Sequence, residues 1–450
     1  MSIRIRNVAM PGTETIFALS SGGLPSGVAI IRISGPAAGH AVEMACGRIP
    51  TPRRAVLASI RNRNGEEIDK GLVLFFPGPN SFTGEDCAEL HIHGGRATVK
   101  AMLDTLAGME GLRPAEAGEF SRRAFLNGRM DLVEVEGLAD LIAAETEMQR
   151  RLAAEQAAGG LSRVYDSWAK RLTHARAMIE AELDFADEDD VPGSIANSIW
   201  RDMRALQQEI IHHIAAGKVG EIVRDGLNVV IAGPPNAGKS SLLNHLARRD
   251  VAIVTDIPGT TRDVLHVDLD LSGFAVRLFD TAGLRETEDI VEREGIRRTQ
   301  LSMEQAHLIL LLSERPQEDW AALLGAYAGP TIRVLTKSDR QDVACRQGQF
   351  DITISTATGE GIEELLSAIQ SHLPDLDAGS ALALPTRRRH FDNLAEALDE
   401  ITNALEADGA GLDIQAEYLR LAGQALGRVT GRVDVENLLD VIFSEFCIGK

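Results

Sequence analysis

The sequence predicts a multidomain α/β chain: an N-terminal α/β domain, a discontinuous helical domain, and a second α/β domain inserted into the helical one. Three observations predict it. Short β-rich runs bounded by Gly and Pro crowd residues 1–125. Helical, Ala- and Glu-rich texture occupies two separated stretches. Between them, a strand, a G-x-x-x-x-G-K-S loop and a helix open a run of alternating strand and helix signals.

Within residues 1–125, "GVAIIRISG" (Gly27 to Gly35) and "GLVLFFPGP" (Gly71 to Pro79) read as strands, and "AELHIHGG" (Ala88 to Gly95) alternates before turning on glycines. From Asp131 the period changes. "DLVEVEGLADLIAAETEMQRRLAAEQAA" reads as one long helical stretch, and helical texture continues through "RLTHARAMIEAELDFADEDD" and "RDMRALQQEIIHHIAAG". A strand opens at Asn228. "PDLDAGSALALP" (Pro374 to Pro385) reads as a linker, after which helical texture returns. The boundaries are therefore 1–125 for the N-terminal domain, 126–223 and 376–450 for the two helical parts, and 224–375 for the insertion. Insertion succeeds because domain termini commonly lie close together.

Composition limits the function classes. A length of 450 residues fits two to four domains at about 100–200 residues each. No apolar run approaches the roughly 20 residues of a membrane span, and the longest, around Leu308 to Leu312, fits a buried strand. The start, MSIRIRNVAM, lacks the apolar core of a secretory signal. Cys46, Cys87, Cys345 and Cys447 lie far apart, which predicts a reduced cytoplasmic chain with no disulfide framework. The net charge is −20, so a polyanion gains little from the surface as a whole and needs a local basic patch or a basic partner. Arg387, Arg388 and Arg389 form one candidate, with a solvated helix start the favoured reading.

"NVVIAGPPNAGKSSLLNHL" is strand, glycine loop and helix. Asn236, Ala237, Gly238, Lys239, Ser240 and Ser241 would surround phosphates with backbone N–H groups at a helix N-terminus, with Lys239 on the β/γ-phosphates and Ser240 on Mg²⁺. Further elements follow in order. "TDIPGTTRD" brings Thr255, Asp256, Ile257, Pro258, Gly259, Thr260 and Thr261, the last suited to ligate Mg²⁺. "LFDTAG" brings Asp280, Thr281, Ala282 and Gly283; Asp280 can hold Mg²⁺ through water, and the Gly283 amide can sense a γ-phosphate. "VLTKSD" brings Thr336, Lys337 and Asp339, whose carboxylate accepts from guanine N1 and N2, donors that adenine does not offer. "STATGEG" places Ser355, Thr356 and Ala357 near guanine O6. The set predicts a P-loop GTPase domain. Thr336 stands where this motif usually carries Asn; being shorter, it predicts weaker bracing of the phosphate loop.

Leu284 occupies the place after D-T-A-G where a Gln orients water in Ras-like GTPases. Hydrolysis must borrow a polar group, and Arg285, Glu286, Glu288 and Glu292 follow closely.

Together with "RISGP" (Arg32 to Pro36), "SFTGEDCAELHIHGG" (Ser81 to Gly95), "GEFSRRAFLNGRMDL" (Gly118 to Leu132) and the terminal "FCIGK", these motifs make the chain resemble the MnmE (TrmE) family of tRNA modification GTPases over essentially its full length. The resemblance implies an N-terminal folate-binding and dimerisation domain, a discontinuous helical domain and an inserted G domain. It implies a homodimer that works with the FAD-dependent protein MnmG, without a membrane. Together they would use a tetrahydrofolate derivative to build an aminomethyl-type group on C5 of the tRNA wobble uridine. It implies K⁺-dependent GTP hydrolysis, with K⁺ at Asn236, Thr255, Ile257 and Thr260, Glu292 orienting the water, and Lys239 and Thr261 as catalytic groups. Folate contacts would fall on Arg32, Glu89, Arg129 and Lys450. Arg129 departs from an expected Lys, and "ALSSGGLPSG" (Ala18 to Gly27) departs from a Gly-Arg-Gly-type loop. A structural ion pair is the other reading of Arg32 and Glu89. His91 and His93 alternate on one strand; with no third ligand in sight, packing is favoured over a metal.

Two other functions compete: a regulatory or ribosome-associated GTPase switch, and a folate aminomethyl carrier with a vestigial G domain. The N-terminal motifs and "FCIGK" argue against the first. Intact Lys239, Ser240, Thr261 and Asp280 argue against the second. The terminal Lys450 does not suit a prenylation box. Gly449 allows close backbone approach, so Cys447 to Lys450 is expected to thread back into the N-terminal domain near Arg32, Glu89 and Arg129.

Overall fold

The computed structural model describes residues 14–184, 194–249, 251–253, 266–280, 306–315, 320, 324, 327–340, 349–376, 382–407, 411–433, 439, 442–444, 446 and 449, with the side chains of all but 184 and 194–197. In chain order the elements are β1 (Thr15–Leu19), β2 (Ser26–Ser34), α1 (Ala38–Cys46), β3 (Val56–Arg61), β4 (Glu67–Phe76), β5 (Cys87–Gly94), α2 (Arg96–Ala107), β6 (Leu112–Pro114), α3 (Glu119–Leu126), α4 (Leu132–Ala143), α5 (Glu147–Ala157), α6 (Gly160–Asp184) and α7 (Ser194–Asp225). Then come β7 (Leu227–Ala232), α8 (Lys239–Leu246), β8 (His266–Leu271), β9 (Phe274–Asp280), β10 (Leu308–Ser313), β11 (Thr331–Leu335), β12 (Ile352–Thr353), α9 (Ile362–Gln370), α10 (Arg388–Glu406) and α11 (Leu412–Thr430). The chain forms two compact units: residues 1–139, 165–170 and 420–450, and residues 140–164 and 171–419.

The first unit is built on a six-stranded sheet of order β3-β4-β5-β2-β1-β6, antiparallel except for the β1–β6 pair. α1 buries Ala38, Ala41, Val42 and Ala45, the i, i+3, i+4, i+7 stripe of an amphipathic helix, in the same core as Ile31, Ile33, Val73 and Leu90 of the sheet. Part of the 420–450 segment belongs to this unit. Leu439, Phe443 and Phe446 share a core with Leu132 and Val135. Gly118, at φ +65, lets the chain pass: a Cβ there would lie 2.4 Å from the Phe443 carbonyl oxygen.

The second unit carries the sheet β12-β11-β10-β7-β9-β8, parallel except for the antiparallel edge strand β8. All six residues of β10 are buried, as an apolar run at the centre of a parallel sheet demands.

Two expectations are corrected. The single helical stretch from Asp131 breaks into α4 and α5. Thr146 caps α5 through a capping box: its hydroxyl accepts from the Gln149 N–H, while the Gln149 Oε1 accepts from the Thr146 N–H at 3.1 Å. The stretch Pro374 to Pro385 is not a free linker where it is described. Leu382 is buried beside Met148, Leu152 and Val223, and Gln156 donates to the Leu384 carbonyl at 3.1 Å. Apolar Leu side chains that find cover are pulled in whatever the flanking prolines suggest. The run Arg387, Arg388 and Arg389 is a helix start. Arg387 pairs with Asp140 at 2.8 Å and Arg388 with Asp392 at 2.8 Å.

His213 of α7 is half-buried, and its imidazole is pushed down to about 4, chiefly by burial and secondarily by His390. The folded state then resists protonation that the unfolded chain accepts. Stability is whole above pH 6.5 or so and drains as pH falls toward about 4. His213→Phe is expected to flatten the fall in thermal midpoint between pH 7 and pH 4.5, measured by calorimetry of both proteins across that range.

Candidate functional site

The phosphate loop leaves β7 at Gly233 and enters α8 at Lys239. The turn requires residues without a side-chain penalty. A Cβ on Gly233 would strike the Leu312 carbonyl oxygen at 2.2 Å, and Gly238 sits at φ +91. Asn236, at φ +65, is exposed. Its small polar side chain is among those that tolerate this conformation. The Lys239 ammonium donates to the Gly233 and Pro234 carbonyls at 2.9 and 3.0 Å, and the residue is almost wholly buried. Ser240 donates to Asp280 Oδ2 at 2.8 Å; Asp280 is fully buried at the end of β9. This hydroxyl and carboxylate, both hard oxygens beside a helix N-terminus, fit a Mg²⁺-bound phosphate. Ser241 is exposed on the next position of α8.

Thr336 braces the loop despite its length. Its hydroxyl donates to the Ala237 carbonyl at 2.8 Å from a nearly buried position. β11 delivers it close under the loop: a Cβ on Gly238 would lie 3.7 Å from the Thr336 Cβ. Length therefore costs this residue no reach. Lys337 adds a second tie, donating to the Asn236 carbonyl at 2.9 Å and pairing with Glu314. Glu314 has no counterpart in the sequence motifs, since only adjacent strand ends bring it there.

At the other end of the groove, Ser355 donates to Asp339 Oδ1 at 2.7 Å, and the Thr358 N–H donates to Ser355 Oγ at 3.2 Å. The turn through Ser355, Thr356 and Ala357 is thereby hung on Asp339, whose other carboxylate oxygen lies 3.7 Å from Arg340 Nε. Thr255, Asp256, Ile257, Pro258, Gly259, Thr260, Thr261, Thr281, Ala282, Gly283, Leu284 and Glu292 lie outside the described residues.

In the N-terminal sheet, Arg32 of β2 and Glu89 of β5 are register partners and form an ion pair at 3.0 Å, each side chain about one-fifth exposed. The Arg32 guanidinium lies 5.0 Å from the Phe82 ring centre and 5.8 Å from that of Phe120. His91 Nε2 lies 3.2 Å from the other Glu89 oxygen, whereas His93 pairs with Asp69. The two histidines thus turn to different carboxylates, and no cluster of metal-ligand type occurs among the described residues. Arg129 is exposed beside Gly84. Cys447 and Lys450 lie outside the described residues. Gly449 is described, and its carbonyl accepts from Ser20 Oγ at 2.5 Å. At φ +101, a Cβ on it would sit 2.2 Å from the Leu19 carbonyl oxygen. Leu19 follows Ala18, the register partner of Arg32.

Two family models match this chain: the GTP-binding protein TrmE N-terminus over residues 15–129 and the MnmE helical domain over residues 132–447. The chain belongs to the MnmE (TrmE) family of tRNA modification GTPases. The tRNA modification GTPase MnmE of Sinorhizobium medicae is 62% identical over 98% of this chain and 100% of its own length. That of Rhizobium meliloti is 63% identical over 98% and 100%, and that of Agrobacterium fabrum 56% over 97% and 99%. Among solved structures, the G domain of the T. maritima FeoB iron transporter is 27% identical over 33% of this chain and 99% of that one, with a TM-score of 0.25. The match to MnmE relatives runs through both the phosphate loop and the Arg32–Glu89 sheet.

Asp339→Asn is expected to lower discrimination of guanosine from xanthosine triphosphate by about 10- to 100-fold, because an amide presents a mismatched donor and an unmet buried donor costs about 1–3 kcal/mol. The Asn oxygen can still accept from Ser355, so the fold should hold. Competition binding of the two nucleotides measures it.

Proposed function

We propose that this GTPase of the MnmE family serves modification of the tRNA wobble uridine at C5. It acts as a homodimer with the FAD-dependent partner MnmG, and a tetrahydrofolate derivative supplies the one-carbon unit of a (carboxymethyl)aminomethyl group. What carries the reading is one contact: the Gly449 carbonyl on Ser20, which brings the chain end to the sheet that holds Arg32 and Glu89. A plain GTPase switch has no use for a chain end held at that sheet.

The residues there suit a folate. Glu89 can accept from the amino and ring N–H edge of a pterin, while the guanidinium of Arg32, held by aromatic rings, can face a carboxylate. Arg129 and Lys450 would supply further positive charge. At the phosphate loop, Lys239 exchanges loop carbonyls for phosphate oxygens, and Ser240, Thr261 and Asp280 would hold Mg²⁺, which neutralises charge on the transferred phosphoryl group. Asn236 would hold K⁺ together with Thr255, Ile257 and Thr260. Glu292 orients the water that Leu284 cannot. Asp339 with Ser355, Thr356 and Ala357 selects guanine.

Mass spectrometry of wobble uridines from cells with and without the gene tests the reading. The modified nucleoside should vanish in the deletion, and its persistence would refute the assignment. Hydrolysis should be faster in K⁺ than in Na⁺ at equal ionic strength, by tenfold or more on the order expected for one transition-state charge contact. Equal rates would remove K⁺ from the site.

A further inference from the structure

Several arginines among the described residues are neutralised: Arg123 bridges Glu85 and Glu119, Arg171 bridges Asp202 and Glu209, and Arg333 pairs with Asp351. Around β3 the pattern reverses. Arg48, Arg53, Arg54, Arg61 and Arg63 are all exposed, and none forms an ion pair with a carboxylate among the described residues. Residues 48–65 hold no Asp or Glu at all. Lys70, on β4 opposite Ser59, is likewise exposed and adds a sixth cation.

The fold sets four of these charges at the two ends of an edge strand. β3 is the terminal strand of its sheet. Arg53 and Arg54 precede it and Arg61 and Arg63 close it, so six residues at about 3.3 Å each put some 20 Å between the two groups. Arg53 is held in place. Its backbone N–H donates to the Phe75 carbonyl at 2.9 Å, and its guanidinium donates to the Asn80 carbonyl and lies 6.0 Å from the Phe76 ring centre. Leu57, 68% exposed, stands between the groups, paired in register with exposed Leu72. The bordering carboxylates are engaged elsewhere: Asp69 with His93, Glu66 with Asn62. Glu67 is the register partner of Arg61.

We infer that this edge binds the phosphodiester backbone of RNA. The inference rests on the tRNA reading above and names the surface that takes the substrate. A chain of net charge −20 repels a polyanion except where cations are concentrated and unpaired, and this edge is such a place. Exposed leucine amid arginines offers sugar and base faces a dry contact. A second copy of the chain is a poor occupant, because a two-fold interface would set the six cations against themselves.

The test uses full-length protein and an unmodified tRNA transcript, with anisotropy titrations over a series of salt concentrations. Compared are wild type, the variant with Arg53, Arg54, Arg61 and Arg63 all changed to Ala, and the same four changed to Lys. Each phosphate contact removed takes about 0.7–0.9 off the log–log salt slope. The alanine variant should therefore lose about three from the slope and bind at least tenfold more weakly at low salt, while the lysine variant stays near wild type. GTP turnover and sedimentation should match wild type in both. Unchanged slope and affinity in the alanine variant would overturn the assignment. So would an altered sedimentation coefficient with unchanged RNA affinity, which would make the edge a protein interface, or binding of the wild type to anionic vesicles but not to RNA. Because the titration needs no folate, nucleotide or partner protein, a failure of the modification chemistry would leave its result standing.

Discussion

The nucleotide side of the molecule depends on how closely the chain approaches itself at Gly233. No side chain fits between this residue and the Leu312 carbonyl of β10. The loop can therefore turn tightly off β7 and enter α8. Everything else converges on that turn because the sheet is parallel there. The ends of β9, β10 and β11 bring Asp280, Ser313 and Thr336 to the same edge of the sheet as the loop. Asp280 then meets Ser240, and Thr336 meets Ala237, without either side chain having to stretch.

The N-terminal unit uses the same device for another end. Gly118 and Gly449 each admit a backbone carbonyl where a Cβ would collide, one from Phe443 and one from Leu19. The bond from Ser20 to Gly449 joins residues 429 positions apart. Closing so long a separation costs only slightly more entropy than closing a shorter one, since the cost grows with the logarithm of length. The Phe443 and Phe446 cluster can offset it by burying apolar area. A final segment tied down at both the aromatic cluster and Gly449 is an integral part of the unit. Gly449 is thereby held at the sheet that carries the Arg32–Glu89 pair.

Charge is distributed as unevenly as packing. Buried Arg123 is satisfied by Glu85, Glu119 and the Glu14 carbonyl, so a cation at the heart of the unit adds nothing to its outer field. Ser34 and Thr83 extend this network with short hydroxyl bonds, one of them to Glu85. A fully connected network of this kind fixes the packing of the "SFTGEDC" stretch against β2. The outer field of an acidic chain is then shaped by cations that no carboxylate neutralises.

The sequence by itself determined the phosphate loop, the strand before it and the helix after it, and the two α/β domains. These are local matters: glycine spacing, apolar periodicity and the order of short motifs need no knowledge of distant residues. The capping box at Thr146 is spelled T-x-x-Q in the chain, but apolar periodicity alone runs through it, and the break between α4 and α5 emerges only in the structure. Tertiary structure decided the rest. Whether Thr336 reaches the loop depends on the depth of β11, not on its own length. Whether Leu382 floats or packs depends on Met148, Leu152 and Val223, all far before it in the chain. Arg387 is spent on the Asp140 carboxylate while exposed Arg53 meets a backbone carbonyl and an aromatic ring, though the two look alike in the chain. Burial and pairing belong to both partners at once, and a linear pattern describes only one of them.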